Sequence, residues 1–170
     1  MMKTAFLSIL FAACISFSFQ GVQQRSSLLV VECGATPELN ARIIDFVNTK
    51  IKKRVGSGQC WDLAAEALRS VNASWDGMYK FGTQVDLLKD CLFPGDIIQF
   101  EGVVVKYEKD GVKWQENMSH HTAIIYEVKE KDVFTLAHQN IGTSGKKVGL
   151  TSLDLKHITK GKYTVYRPTK

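Results

Sequence analysis

Pro94-Gly95-Asp96-Ile97-Ile98-Gln99-Phe100 is the stretch on which the fold of this chain turns. Before it, apolar residues recur at helical spacing. After it, they alternate or fall in short blocks. Pro-Gly-Asp is a turn signal, and residues 97–100 read as a strand. Helices first and strands afterwards predict an α+β fold in which N-terminal helices pack on an antiparallel sheet.

Upstream of this turn, Thr36-Pro37 is a good helix start, with Thr36 as N-cap and Pro37 at the first helical position. Leu39, Ile43, Phe46, Val47, Ile51 and Val55 then form one apolar face, and Gly56-Ser57-Gly58 stops the helix. The basic cluster Lys50, Lys52, Lys53 and Arg54 fits a helix C-terminus that complements its own dipole. A second helix is predicted over 60–71, with Leu63, Ala64, Ala67, Leu68 and Val71 inward. Its alanines permit close packing on a sheet.

Downstream, residues 103–107 and 112–114 flank Glu108-Lys109-Asp110-Gly111 as a hairpin. Residues 121–128 and 133–137 flank a second turn at 129–132. Gly142 to Gly145 is a loop, and residues 163–166 close the sheet.

The chain has 170 residues, 45% apolar and 23% charged, which suits one domain with a real core. Its start reads differently. Met1-Met2-Lys3 is basic, and residues 4–19 are apolar or small, the pattern of an export signal. We expect a signal peptide over 1–20, a tether over 21–33 and a domain over 34–170. Cys14 after Leu10-Phe11-Ala12-Ala13 is a candidate lipid anchor, but the apolar residues that follow it favour simple cleavage. No later stretch is long enough for stable membrane insertion. Removal of residues 1–20 takes away Lys3 and no acid, so the net charge falls from +5 to +4. The basic residues are scattered, which argues against nucleic acid. A secreted, periplasmic or envelope protein, monomeric, is expected.

Cleavage leaves Cys33, Cys60 and Cys91. An odd number in an exported chain leaves one thiol over. A Cys33–Cys91 disulfide is one pairing that frees Cys60, and the sequence does not select it.

Cys60 follows Gly58-Gln59 and opens an amphipathic helix. The positive end of a helix dipole favours a thiolate, and backbone N–H groups there suit a developing oxyanion. His121 begins the strand run Thr122-Ala123-Ile124-Ile125, and Cys with His is the arrangement nucleophilic catalysis needs. A base needs an orienting group. A two-residue turn at Glu130-Lys131 sets His121 opposite Asn140 and Ala123 opposite His138, while a three-residue loop selects Gln139. His138 and Asn140 are the preferred orienters. Zinc is disfavoured because Cys-x-x-Cys and His-x-x-x-His are absent, and no cofactor is expected. Residues 142–147 lack the phosphate-loop spacing. Asn72-Ala73-Ser74 is a sequon of a kind that arises by chance.

Gly58-Gln59-Cys60-Trp61-Asp62-Leu63, Pro94 to Phe100, His121-Thr122-Ala123-Ile124-Ile125 and His138-Gln139-Asn140 occur in the order of CHAP domains. The chain resembles the CHAP and NlpC/P60 group over residues 36–166. That resemblance implies a papain-like fold and an amidase or endopeptidase acting on peptidoglycan peptides. It implies Cys60 as nucleophile, His121 as base, and an oxyanion held by the Cys60 N–H and Gln59. His138 stands where CHAP domains often carry Glu. Trp61, bulky beside the nucleophile, is expected to narrow the cleft. A non-catalytic wall-binding or partner-binding module on the same fold is the alternative.

Overall fold

Residues 33–170 are described by the structure, a computed structural model. The export segment 1–20, Cys14 and all of the tether but Cys33 lie outside the described residues.

Two helices come first, α1 (Glu38–Lys50) and α2 (Cys60–Ser70). The strands follow: β1 (Thr83–Gln84), β2 (Ile97–Lys109), β3 (Val112–Glu130), β4 (Val133–His138), β5 (Gly149–Asp154) and β6 (Ile158–Arg167). Every strand pair is antiparallel, and the sheet order is β1-β6-β2-β3-β4-β5. Among the described residues no helix is long and apolar enough to cross a membrane.

The central strands are buried on both faces. Ile97, Ile124 and Ala137 share one cluster with Ile43 and Val47 of α1 and Leu63, Ala64, Ala67 and Leu68 of α2. Ile98, Phe100, Ala123, Ile125 and Leu136 belong to a second cluster, with Phe134, Leu153 and Val165. This is why Ile97-Ile98-Gln99-Phe100 reads as a continuous block: no position in it faces water.

The Pro-Gly-Asp turn joins the two halves. Gly95 has φ 90°, and a Cβ there would lie 2.5 Å from the carbonyl oxygen of Asn40 in α1, so only glycine fits. Asp96 is fully buried. It accepts from Asn40 Nδ2 at 2.8 Å, from Phe93 N at 2.9 Å, and from Arg167 Nε and Nη2 at 3.1 and 2.8 Å. The turn therefore ties α1, β2 and β6 together.

Three expectations change. α1 begins at Glu38 with Pro37 in the capping position, and it ends at Lys50, well before Gly56. Ile51 leaves the helix to bridge Val148, and Lys52 N, at φ 64°, donates to Val148 O at 2.8 Å. Backbone pairing with a distant segment overrides the apolar period. Within the basic cluster, Lys53 Nζ does donate to Thr49 O at 2.8 Å, at the helix C-terminus. Next, β2 and β3 are far longer than the short pieces expected. They run as one ribbon to a turn at Asp110-Gly111, whose φ values of 53° and 73° suit a tight hairpin. Finally, β6 lies between β1 and β2, not at an edge, and the edge beyond β4 is β5, a segment for which the sequence predicts no element.

Candidate active site

The approach to Cys60 is held tightly. Gln59 is extended at φ −81° and ψ 155°, and helix α2 begins at the next residue. The Gln59 N–H and the Ser57 hydroxyl donate to Asp62 Oδ2 at 3.0 and 2.7 Å. Partial burial pushes the Asp62 carboxyl up, but these bonds outweigh it and hold the group below its usual range. A carboxylate thus occupies the first turn of the same helix and takes part of the dipole's favour for negative charge.

Cys60 is the free cysteine among the described residues, and it is partly exposed. Cys33 and Cys91 are disulfide-bonded, with Cα atoms 5.6 Å apart. The Cys60 thiol donates to the backbone carbonyl of His120 at 3.9 Å. Pairing of β3 with β4 ends at Ile124 and Ala137, so that carbonyl lies past the end of the ladder. The thiol therefore meets the backbone of β3 beyond the last β3–β4 pair.

His121 is buried, 5% exposed, and its ring stacks on Phe100. Its Nε2 lies 3.0 Å from His138 Nδ1, and His138 Nε2 lies 2.8 Å from Thr151 Oγ1. Burial pulls the His121 pKa down from 6.5 to about 4. Burial, and then the His121 charge, pull His138 down to about 3. Both imidazoles are neutral at neutral pH. If His121 Nε2 donates to His138 and His138 Nε2 donates to Thr151, His121 Nδ1 carries a lone pair and can take a proton.

The three polar residues closing β4 go to three places. His138 reaches His121. Gln139, fully buried, turns to the opposite side, where Nε2 donates to Val55 O at 2.9 Å and Gln59 O at 2.8 Å. Its Oε1 accepts from Val55 N at 3.2 Å. Asn140, at φ 62°, donates through Nδ2 to Gln59 Oε1 at 2.8 Å, so it meets the loop before Cys60 instead of His121. The register near the site is the expected one, with Ile124 opposite Ala137 and Ile125 opposite Leu136. It arises differently: the turn is at Lys131-Asp132, and two irregularities in the ladder restore the phase.

Trp61 donates from Nε1 to Met78 O at 2.6 Å, and its ring lies against Trp75. The ring fastens the segment around Met78, and Tyr79 of that segment stands edge-on to His120 at 4.2 Å. His120 points to the opposite sheet face from His121 and pairs through Nδ1 with Glu101 Oε2 at 2.8 Å. Thr151 was missed because β5 was missed. Leu150-Thr151-Ser152-Leu153 has its leucines three apart and carries no two-residue alternation, so no periodic signal marks the strand. On the side away from the thiol, a cavity of about 570 Å³ lies against His138 and Thr151, walled by Tyr107, Trp114, Met118 and Leu153. Glu116 borders it, and burial raises its carboxyl pKa. Among the described residues no group of three or more His, Cys, Asp or Glu side chains is placed to hold a metal ion.

Residues 35–170 match the model of the AIM3/BBC1 cysteine proteinase-fold domain. The chain is 28% identical over 144 residues to "Altered inheritance of mitochondria protein 3" of Debaryomyces hansenii, covering 74% of this chain but 15% of that protein. It spans only a small part of that relative's length. In fold it is similar to the crystal structure of Ly7917 with the hydrolyzing product of MDP, at TM-score 0.50 and 13% identity over 76% of this chain and 62% of that one. The crystal structure of Ly7917 also matches at TM-score 0.46, with 13% identity over 75% and 62%. The match bears out the cysteine proteinase fold implied by the motifs, and the family it shows is AIM3/BBC1. The chain belongs to the AIM3/BBC1 cysteine proteinase-fold domain family.

Proposed function

We propose that this domain is a cysteine hydrolase that cleaves amide bonds, with Cys60 as nucleophile, His121 as base and His138 as the group that orients it. The observation that carries this reading is the chain His121–His138–Thr151, which starts on β3, the strand whose backbone meets the thiol at His120. Sulfur attacks the amide carbonyl while the thiol proton passes to His121 Nδ1. The oxyanion is held by the Cys60 N–H and by Gln59. Collapse breaks the C–N bond, and His121 gives its proton to the leaving amine. Water then attacks the thioester, delivers a proton to His121, and releases the acid and the thiolate.

The substrate class is peptide amides. Peptidoglycan peptides come first in a screen, on the motif resemblance and on likeness in fold to a protein crystallised with the hydrolyzing product of MDP. Protein-derived peptides belong in the same screen, because the family includes a protein named for mitochondrial inheritance. The reading takes the chain as exported and monomeric. The Cys33–Cys91 disulfide supports an oxidising compartment. Cys60→Ser is expected to abolish hydrolysis with the fold intact; hydrolysis retained in that variant rules the reading out.

One observation favours a second reading, a binding module with no turnover. The thiol's hydrogen bond goes to a backbone carbonyl and not to an imidazole. A domain of this kind binds peptides with unchanged affinity when Cys60 is replaced by Ser.

A further inference from the structure

Gln139 spends each polar group it has on the loop before the nucleophile, and it does so with no solvent exposure. A buried amide is costly unless paired, and a Met of similar shape would fill the same space. The amide is required because its partners are backbone groups of Val55 and Gln59, the residue before the thiol. Its neighbour His138 holds the imidazole on the opposite face of the same strand end. Asn140 adds a bond to the Gln59 side chain.

We propose that Gln139 and Asn140 are positioning residues for the thiol, a clamp from the end of β4 that sets the separation of Cys60 from His121. His138 and Gln139 are consecutive, so one rigid dipeptide holds both halves of the site. A shift of the 55–59 loop then moves the thiol relative to the base, and misplacement of about 1 Å is enough to cost about 100-fold in rate. The inference rests on the hydrolase reading.

The test is the rate of iodoacetamide labelling of Cys60 in the full chain, across pH, with and without His121→Ala. Gln139→Met is expected to lose the His121-dependent part of the rate, by about tenfold or more. Val165→Ala, a cavity in the opposite core, lowers stability but keeps that part. Should Gln139→Met fail to fold, Asn140→Ala, at an exposed position, is expected to lower it by about threefold. Wild-type profiles in Gln139→Met or, where that variant does not fold, in Asn140→Ala overturn the clamp. Equal loss in Val165→Ala overturns it as well. If His121→Ala leaves wild-type labelling unchanged, the hydrolase reading fails instead. The clamp is then decided by total Cys60 labelling in Gln139→Met, or in Asn140→Ala where that variant does not fold, against Val165→Ala.

Discussion

His121 Nε2 and His138 Nδ1 lie 3.0 Å apart between β3 and β4, in a setting that keeps both rings neutral. In the proposed hydrolase the base is therefore not a resting imidazolium paired with a thiolate: His121 would accept its proton as sulfur attacks, and one proton order along His121, His138 and Thr151 allows that.

His138→Ala removes the partner of a buried ring nitrogen. Turnover is expected to fall by up to about 10⁴-fold, the loss that follows when the group orienting a catalytic histidine is removed. Stability falls by about 1–3 kcal/mol for the unpaired group. Steady-state rates and urea denaturation check both. Thr151→Val acts one bond further away and is expected to do less on both scales.

The same burial sets a pH dependence. The unfolded chain takes up a proton at each histidine near pH 6.5, while the folded chain resists until about 4 for His121 and about 3 for His138. Stability is full above pH 6.5 and declines as pH falls toward 4, by about 1.4 kcal/mol per pH unit for each group. Denaturant midpoints at pH 7 and pH 5 measure it. His138→Leu is expected to flatten the slope by about half. An unchanged slope in that variant contradicts the assignment.

The sequence made the chemistry-bearing residues and the α+β order legible, because turn signals and apolar periods are local. Cys60 at a helix start and His121 at a strand residue followed from such patterns, and every residue read as the inner face of the second helix is buried. The end of α1 was not legible, since Ile51 and Lys52 are captured by Val148, almost a hundred residues away in sequence. Thr151 was hidden for the same reason: β5 is short, half-exposed and defined by its pairing with β4. The roles of Gln139 and Asn140 depend on where a preceding loop lies in space, which no spacing rule reports.

Arg167→Met is expected to cost about 3–5 kcal/mol, because it strands the buried Asp96 carboxylate. Replacing both partners by apolar residues should recover part of that loss. Thermal melts of the single and double variants decide it.

The disulfide closes a separation of 58 residues. Cys33→Ala with Cys91→Ala is expected to lower stability by about 2–4 kcal/mol. The labelling rate of Cys60 in the folded protein should stay unchanged, because the pair lies outside the site. Changed labelling places it within the machinery.

The central claim is that Cys60 and His121 work as nucleophile and base. The rate of iodoacetamide labelling of Cys60 from pH 3 to 9, compared with His121→Ala, tests it most directly. The account predicts a His121-dependent component that persists at pH 5 and is lost as pH falls through about 4, where His121 takes a proton. Identical profiles for the wild type and His121→Ala contradict it, and leave the domain a binding module on a cysteine-proteinase fold.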